Sequence, residues 1–179
     1  MHGFLEHLDF DAPEPGWESG AVDRAFSRFG ADAVAEGRKI VEDLLKQPVF
    51  GSLRKAKQVH REVDFVLNER RGLIHGKIDV LFEDSQGGWH ILDYKTASGD
   101  ETSAKRSGYD LQMELYALAA QRILKLPVRS AIIYYLKNQK AVTLSFPDAG
   151  GDAFFDGLEK KICALQQQIL DYSNERMAQ

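Results

Sequence analysis

Apolar residues in the first quarter of the chain recur at the interval of three to four that is typical of helices. This spacing predicts one helix over about residues 19 to 29 and a second over about 31 to 46, which ends before Pro48. The segment MHGFLEHLDF (1–10) has the pattern of a helix end. The following DAPEPG is predicted to be a turn, because its two prolines and its glycine cannot continue the helix. The chain is therefore predicted to begin with helices over residues 1–47.

The middle of the chain changes to the period of two that is typical of strands. Residues 59–67 (VHREVDFVL) alternate between apolar and polar, and residues 72–84 (GLIHGKIDVLFED) are rich in β-branched and aromatic residues. After the turn SQGG (85–88), WHILDYKT (89–96) is a third strand. The pattern predicts a three-stranded antiparallel meander.

The remainder of the chain alternates again between the two periods. A loop, ASGDETSAKRSG (97–108), precedes an amphipathic helix over 109–126, and two strands over 128–137 and 140–146 are joined by a turn at Asn138 and Gln139. A long helix over about 151–175 closes the chain. Together these elements predict an α/β fold with a mixed central sheet of about five strands flanked by helices.

The composition is that of an ordinary globular protein. The chain has 179 residues, 44% hydrophobic and 28% charged, and is predicted to form a single domain over 1–179. It has no apolar run of membrane-spanning length and no signal-peptide pattern, so we expect a cytoplasmic protein without a membrane partner. One cysteine, Cys163, excludes an internal disulfide and any site built from several thiolates, and is expected to be a core or half-buried thiol.

The net charge of −4 does not by itself indicate a polyanionic partner. Local clusters of basic residues leave two interpretations open, a solvated surface or contacts to nucleic acid. The clusters are Arg54, Lys55, Lys57 and Arg61, then Arg70 and Arg71, then Lys105 and Arg106.

Two acidic residues in the meander are placed symmetrically about its second turn. Asp79 and Asp93 mirror about residue 86, so a three-residue loop centred on Gln86, with Gly87 at positive φ, would set them opposite each other on one face. Lys95 shares that face because it lies two residues after Asp93 on the same strand. Like charges directly opposite in a sheet are destabilising, so this arrangement needs a reason.

The spacing leaves two explanations open. Lys95 and an acid can form a simple solvated pair, or both carboxylates can hold a divalent cation beside the lysine, an arrangement suited to attack of water on a phosphodiester. In the helix that follows, Gln112 and Tyr116 are spaced i, i+4 and share one face. They are either polar edges of the core or part of the same site.

These motifs, in this order, carry a resemblance to a known family. GKID, LDYKT and QMELY resemble the motifs of the PD-(D/E)XK nuclease superfamily, in particular the RecB/AddA-type C-terminal nuclease domain of a UvrD-like helicase-nuclease. HGFLEHLDF (2–10) resembles the opening helix of that domain, and VHREVDF resembles the strand that leads into its metal site. The resemblance implies a restriction-endonuclease-like core, with the catalytic sheet and helix over 59–146.

The resemblance also implies roles for individual residues. The implied metal ligands are His2, Asp79, Asp93 and the backbone carbonyl of Tyr94, and the implied catalytic residues are Asp79, Asp93, Lys95, Gln112 and Tyr116. The implied cofactor is Mg²⁺ or Mn²⁺. One cysteine cannot hold an iron-sulfur cluster, and no G-x-x-x-x-G-K-[ST] motif provides an ATP site. Because only Met1 precedes His2, we expect the His2 limb of the metal site to be mobile.

The implied function is that of a metal-dependent exonuclease that hydrolyses phosphodiester bonds of DNA in end processing and recombinational repair. The implied partners are DNA and the helicase portion of the same polypeptide or a partner subunit. Two alternatives stay open: a catalytically inactive DNA-binding or scaffold module that keeps the nuclease fold, and a free-standing exonuclease. The acids, the lysine and the glutamine of the motifs are all present, which favours an active site.

Overall fold

The computed structural model describes residues 27–69, 72–147 and 156–164, together with residues 20, 23, 24 and 167. Its helices are α1 (Ala31–Leu45), α2 (Pro48–Leu53), α3 (Glu101–Arg106), α4 (Tyr109–Ala119) and α5 (156–164). Its strands are β1 (Gln58–Glu69), β2 (Gly72–Glu83), β3 (Trp89–Lys95), β4 (Val128–Tyr135) and β5 (Lys140–Ser145). A 3₁₀ turn (Ser27–Phe29) precedes α1, and a π-helical segment (Ala120–Leu124) extends α4.

The five strands form one mixed sheet in the order β1-β2-β3-β4-β5. The meander β1-β2-β3 is antiparallel, β4 runs parallel to β3, and β5 is antiparallel to β4. A parallel neighbour requires a crossover, which α3 and α4 supply. The predicted mixed sheet flanked by helices is confirmed.

The turn between β2 and β3 has the predicted geometry. The pairs Val80–Leu92 and Glu83–Trp89 mirror about residue 86, and Gly87 has a φ of 84°. Asp84 closes the loop, because its N–H donates to the Gly88 carbonyl at 2.8 Å and its Oδ1 accepts the Gly88 N–H at 2.8 Å. The turn therefore sets the register on which the site depends.

Side chains on the two faces of the sheet pack into separate cores. Strand alternation sends Ile91 toward α4, where Met113 and Leu118 are fully buried. Leu92 points the other way and packs in the cluster that contains Leu44 of α1 and Phe50 of α2. Burying each such large apolar side chain contributes about 1.5–3 kcal/mol to folding. Because Asp93 follows Leu92, its side chain points back toward α4.

Two short helices were not predicted. Helix α2 begins at Pro48, since proline is favourable at the first position of a helix, and it buries Val49, Phe50 and Leu53. The predicted loop over 97–108 is wrong over its centre, where α3 forms. There the Asp100 side chain accepts the Ser103 N–H at 3.0 Å, and the Asp100 N–H donates to Ser103 Oγ at 2.6 Å. This reciprocal capping box stabilises a helix start.

The remaining helices, the turn before β5 and the single cysteine follow the sequence predictions in part. The helix over 31–46 and the turn before β5 are confirmed, whereas the helix predicted over 109–126 leaves α geometry after Ala119. The predictions for 1–19 lie outside the described residues, as do parts of the closing helix and of the helix predicted over 19–29, whose last residues (27–29) form a 3₁₀ turn. Cys163 is half-buried, as expected. None of the helices in the described part of the chain is both long and apolar enough to cross a membrane.

Candidate active site

The side chain of Asp79 on β2 bonds the backbone of β3 at the point where the backbone pairing of these two strands stops. The last paired residues are Val80 and Leu92, one step short of Asp79 and Asp93. Instead of continuing the ladder, Asp79 Oδ2 accepts the backbone N–H of Tyr94 at 2.9 Å. The side chain of Asp79 is therefore bound to the strand that carries Asp93 and Lys95.

The hairpin β1–β2 changes face at Asp79. Val80 belongs to the core on the α2 side, whereas Ile78 belongs to the core on the α4 side, although residues two apart normally share a face. On β1, Glu62 lies opposite Asp79, and its φ of 52° is rare for a residue with a side chain. Such irregular positions in strands are common beside active sites.

Packing around Gly76 holds the far side of the site. A Cβ on Gly76 would overlap the ring of Phe65, so the glycine of GKID is required for this close approach. The Phe65 ring meets the Tyr116 ring edge to face, with centroids 5.7 Å apart. The Phe65 ring, packed between Gly76 and the Tyr116 ring, thus supports Tyr116 on α4.

Lys95 links the strand to the helix. Asp93 is 2% exposed, and its Oδ2 lies 2.6 Å from Lys95 Nζ. Lys95 Nζ donates to Gln112 Oε1 at 3.0 Å, and Gln112 Nε2 donates to the Tyr116 hydroxyl at 2.6 Å. The structure therefore links Asp93 to Lys95 by an ion pair, and Lys95 to Gln112 and Tyr116 by two successive hydrogen bonds.

Burial and nearby carboxylates both act on the phenol of Tyr116. Burial raises the pKa of Tyr116 to about 12, and the charges of Asp93, Asp79 and Glu62 also raise it, while the hydrogen bond from Gln112 lowers it. Tyr116 therefore keeps its proton at neutral pH.

Tyr94 has different roles for its backbone and its side chain. Its ring lies in the opposite core, stacked on Phe50 with centroids 6.2 Å apart, and burial raises the pKa of its phenol. Its backbone, however, bonds Asp79 between Asp93 and Lys95. Any contribution of Tyr94 to the site is consequently made by backbone atoms.

The site offers oxygen ligands to a hard cation. The carboxylates of Asp79 and Asp93 and nearby backbone carbonyls are the donor types that Mg²⁺ and Mn²⁺ prefer, with water completing the coordination. Within the part of the chain that the structure describes, no three His, Cys, Asp or Glu side chains are grouped to hold a metal by themselves. His2 lies outside the described residues. The donor set therefore fits a cation that retains several waters.

Two residues of the site were not predicted from the sequence. The ring centroid of Tyr109 lies 4.4 Å from Lys95 Nζ, and its spacing of three from Gln112 was the available signal. Glu62 Oε2 lies 3.3 Å from Lys77 Nζ, and Glu62 Oε1 is buried without a hydrogen-bond partner among the described residues. No sequence pattern distinguished Glu62 from other polar positions of its strand.

Comparisons with known proteins agree with this arrangement of motifs. A family model described as the PD-(D/E)XK nuclease superfamily matches residues 1–178. The chain is 30% identical over 176 residues to an ATP-dependent helicase/nuclease subunit of Heliobacterium modesticaldum, a match that covers 80% of this chain and 12% of that protein. The corresponding protein of Desulfitobacterium hafniense DCB-2 is 36% identical over 159 residues, covering 75% of this chain and 11% of that protein.

A solved structure shows a related fold. A protein of Eubacterium rectale, provisionally described as an exonuclease, superposes with a TM-score of 0.52 at 13% identity over 98% of this chain and 68% of that one. The chain spans only 11% to 12% of the length of the two helicase/nuclease proteins. The predicted restriction-endonuclease-like fold is confirmed. With the family match over nearly its whole length and the ordered motifs assembled on one face of the sheet, the chain belongs to the PD-(D/E)XK nuclease superfamily.

Proposed function

We propose that this chain is a metal-dependent deoxyribonuclease, acting as an exonuclease, that hydrolyses phosphodiester bonds with Mg²⁺ or Mn²⁺. The observation that carries the proposal is the position of Lys95, whose ammonium lies 2.6 Å from the buried Asp93 carboxylate and 3.0 Å from the Gln112 amide oxygen. Nucleases of this superfamily generally use divalent metals. An ammonium beside two carboxylates suits a reaction in which negative charge builds up on a phosphate.

We assign the cation to Asp79 and Asp93, with His2 and the backbone carbonyl of Tyr94 as further ligands. When bound, the cation offsets the repulsion between these carboxylates and the phosphate and stabilises charge that develops on the phosphate. The N–H of Tyr94 holds the Asp79 carboxylate in place at 2.9 Å. That bond restrains one ligand before any cation or substrate arrives.

The remaining side chains of the site act on water and on the substrate. Lys95 Nζ orients the attacking water, and its ion pair with Asp93 and its hydrogen bond to Gln112 keep the ammonium in the site. Gln112 in turn holds the Tyr116 hydroxyl at 2.6 Å. Since Tyr116 keeps its proton at neutral pH, it donates a hydrogen bond to a phosphate oxygen of the DNA.

The wider role follows from the relatives. Because the related proteins are ATP-dependent helicase/nuclease subunits, we propose that the activity serves DNA end processing and recombinational repair. The partner would be the helicase portion of the same polypeptide or a separate subunit. Unwinding driven by ATP is assigned to that partner, since residues 1–179 carry no phosphate-binding loop motif.

The proposal is tested by incubating the chain with linear and circular DNA, with and without Mg²⁺ or Mn²⁺. We expect cleavage of linear DNA only with metal, and loss of cleavage in Lys95→Ala. Lys46→Ala is a matched control, because it removes an exposed lysine that pairs with Asp43 at 3.2 Å on α1. DNA binding without cleavage in every metal condition would instead support an inactive binding or scaffold module. Equal cleavage of circular DNA would argue against an exonuclease.

A further inference from the structure

The first residue of α4 contributes an aromatic face to the lysine of the site. The Tyr109 ring centroid lies 4.4 Å from Lys95 Nζ, within the range of a cation–π interaction. The Lys95 side chain is only 16% exposed, so the ammonium has lost most of its contact with water. Its surroundings are a carboxylate from Asp93, an amide oxygen from Gln112 and the ring of Tyr109.

The ring of Tyr109 is supported from behind by a second aromatic residue. Tyr135, at the end of β4, is 1% exposed, and its ring centroid lies 6.5 Å from that of Tyr109. Gly99 packs directly on Tyr135, because a Cβ at this position would overlap the ring. The backbone of Gly99 is held by Asn138, whose Oδ1 accepts its N–H at 3.2 Å and whose Nδ2 donates to its carbonyl at 2.9 Å.

We propose that Tyr109 is a positioning residue for the proposed nuclease reaction, whose π face holds Lys95 Nζ between Asp93 and Gln112. The inference rests on the proposed function, since it acts through Lys95. A lysine side chain has four flexible methylene groups, so one ion pair with Asp93 and one hydrogen bond to Gln112 leave the ammonium able to swing. A negatively polarised ring on a third side restricts that motion, and partial desolvation strengthens the attraction.

The first test compares two substitutions at residue 109. Tyr109→Leu is expected to lower kcat by about 2- to 30-fold, the range expected when one cation–π interaction is removed, with KM for DNA unchanged. Tyr109→Phe keeps the ring and should restore kcat to within about twofold of the wild type. The control is Phe29→Leu, which removes the ring of an exposed cation–π pair formed with Arg28 at 4.6 Å and should leave kcat unchanged.

A second test separates the charge distribution of the ring from its shape, and remains informative if Tyr109→Leu fails to fold. Starting from Tyr109→Phe, the phenylalanine is replaced in turn by its monofluoro, difluoro and pentafluoro forms. Fluorine withdraws electron density from the ring while nearly preserving its size. We expect kcat to fall stepwise along this series with thermal unfolding midpoints unchanged. Equal kcat values throughout the series, or a loss that appears only in KM, would overturn the positioning role.

Failure of this inference can be distinguished from failure of the proposed function. If the wild-type chain shows no metal-dependent cleavage, the proposed function is wrong, and the positioning role of Tyr109 in that reaction is wrong as well. If the wild type cleaves DNA and Lys95→Ala does not, but the residue 109 variants cleave normally, only the positioning role of Tyr109 is wrong. NMR follows the contact between Lys95 and the Tyr109 ring, because the ring current shifts the Lys95 ε-methylene protons upfield. Tyr109→Leu should abolish this shift and Tyr109→Phe should retain it.

Discussion

The two ends of β3 carry similar chemistry for different purposes. At the first end, His90 Nδ1 lies 2.8 Å from Ser130 Oγ, and His90 Nε2 lies 3.0 Å from Asp84 Oδ2. At the other end, Lys95 lies between the Asp93 carboxylate and the Gln112 amide. At each end a basic side chain therefore contacts an acidic one, so the residue types alone do not show which end is an active site.

The partners of the two acids separate a structural clamp from a candidate site. Asp84 is part of the turn that it closes, because its Oδ1 accepts the N–H groups of Gln86 and Gly88, both at 2.8 Å. Asp93 is buried, and its partner Lys95 donates to Gln112 of α4, while Asp79 of β2 accepts the N–H of the neighbouring Tyr94. An acid that bonds its own turn stabilises local structure, whereas an acid at which distant elements converge is a candidate for chemistry.

The largest expected effect tests this distinction directly. We expect Asp79→Ala, Asp93→Ala and Lys95→Ala each to lower the DNA cleavage rate by at least about 100-fold, because each removes a group that we propose to act on the metal or the water. Asp84→Ala at the other end of the strand should lose stability but keep cleavage. Initial rates at a temperature where all four variants are folded decide between these outcomes. Full activity in any of the first three variants would contradict the assignment.

A packing change near the site should have the next largest effect. Gly76→Ala places a Cβ against the Phe65 ring, and overpacking of this kind costs about 1–3 kcal/mol of unfolding free energy. Because Phe65 supports Tyr116, cleavage should also slow. Gly51→Ala is the matched control, since that glycine lies within α2 with nothing within 4 Å of the added Cβ. Urea unfolding of both variants would contradict the prediction if Gly76→Ala were no less stable than Gly51→Ala.

The clamp at the other end of β3 should show in the pH dependence of stability. The hydrogen bond from His90, followed by that from the Gly88 N–H, lowers the pKa of Asp84 to about 2. A pKa lowered in the folded state stabilises the protein above the ordinary value of about 3.8, and this contribution disappears as pH falls toward 2. Asp84→Asn should therefore cost about 1 kcal/mol near neutral pH.

The measurement for that prediction is a series of urea unfolding curves between pH 2 and pH 7. The stability difference between the wild type and Asp84→Asn should stay level above about pH 5 and shrink between about pH 4 and 2. Glu36→Gln removes an exposed acid in the middle of α1 and serves as the control. A difference that grows on acidification would contradict a stabilising role for the ionised Asp84 carboxylate.

The smallest expected effect concerns the basic clusters near the two ends. Lys105 and Arg106 end the helix that follows Lys95, whereas Arg54 and Lys55 lie before β1, near the Asp84 end. DNA bound at the site should contact the first pair. When the logarithm of DNA affinity is plotted against the logarithm of salt concentration, replacing Lys105 and Arg106 by alanine should make the slope shallower. The change should be about one unit for each phosphate that the protein no longer neutralises.

Fluorescence anisotropy across a range of salt concentrations measures these slopes. The double alanine variant of Arg54 and Lys55 should retain the wild-type slope, because that pair lies near the other end of the strand. A larger reduction of slope in this variant than in the Lys105 and Arg106 variant would place the DNA at the wrong end of β3. Affinity that does not depend on salt would contradict phosphate contacts altogether.

The strands and the turn that carry the acids were predictable because their signals are local. Alternation with period two set which side chains share a face, and Gly87 marked the position that needs positive φ. The short helix α3 carried a usable signal in Asp100 and Ser103, but six residues are too few for a clear helical period. The face change at Glu62 and Asp79 had no local signal, since it depends on how two cores divide the hairpin.

The sequence by itself determined which residues could cooperate within each element: Asp93 with Lys95 on a strand, and Gln112 with Tyr116 on a helix. Only the tertiary structure decided that these two pairs meet. The parallel crossover lays α4 across the face of β3, so that Gln112 contacts Lys95 and the Tyr109 ring lies against the ammonium. Backbone periodicity fixes neighbours within an element, whereas contacts between elements depend on the packing of segments that are distant in the chain.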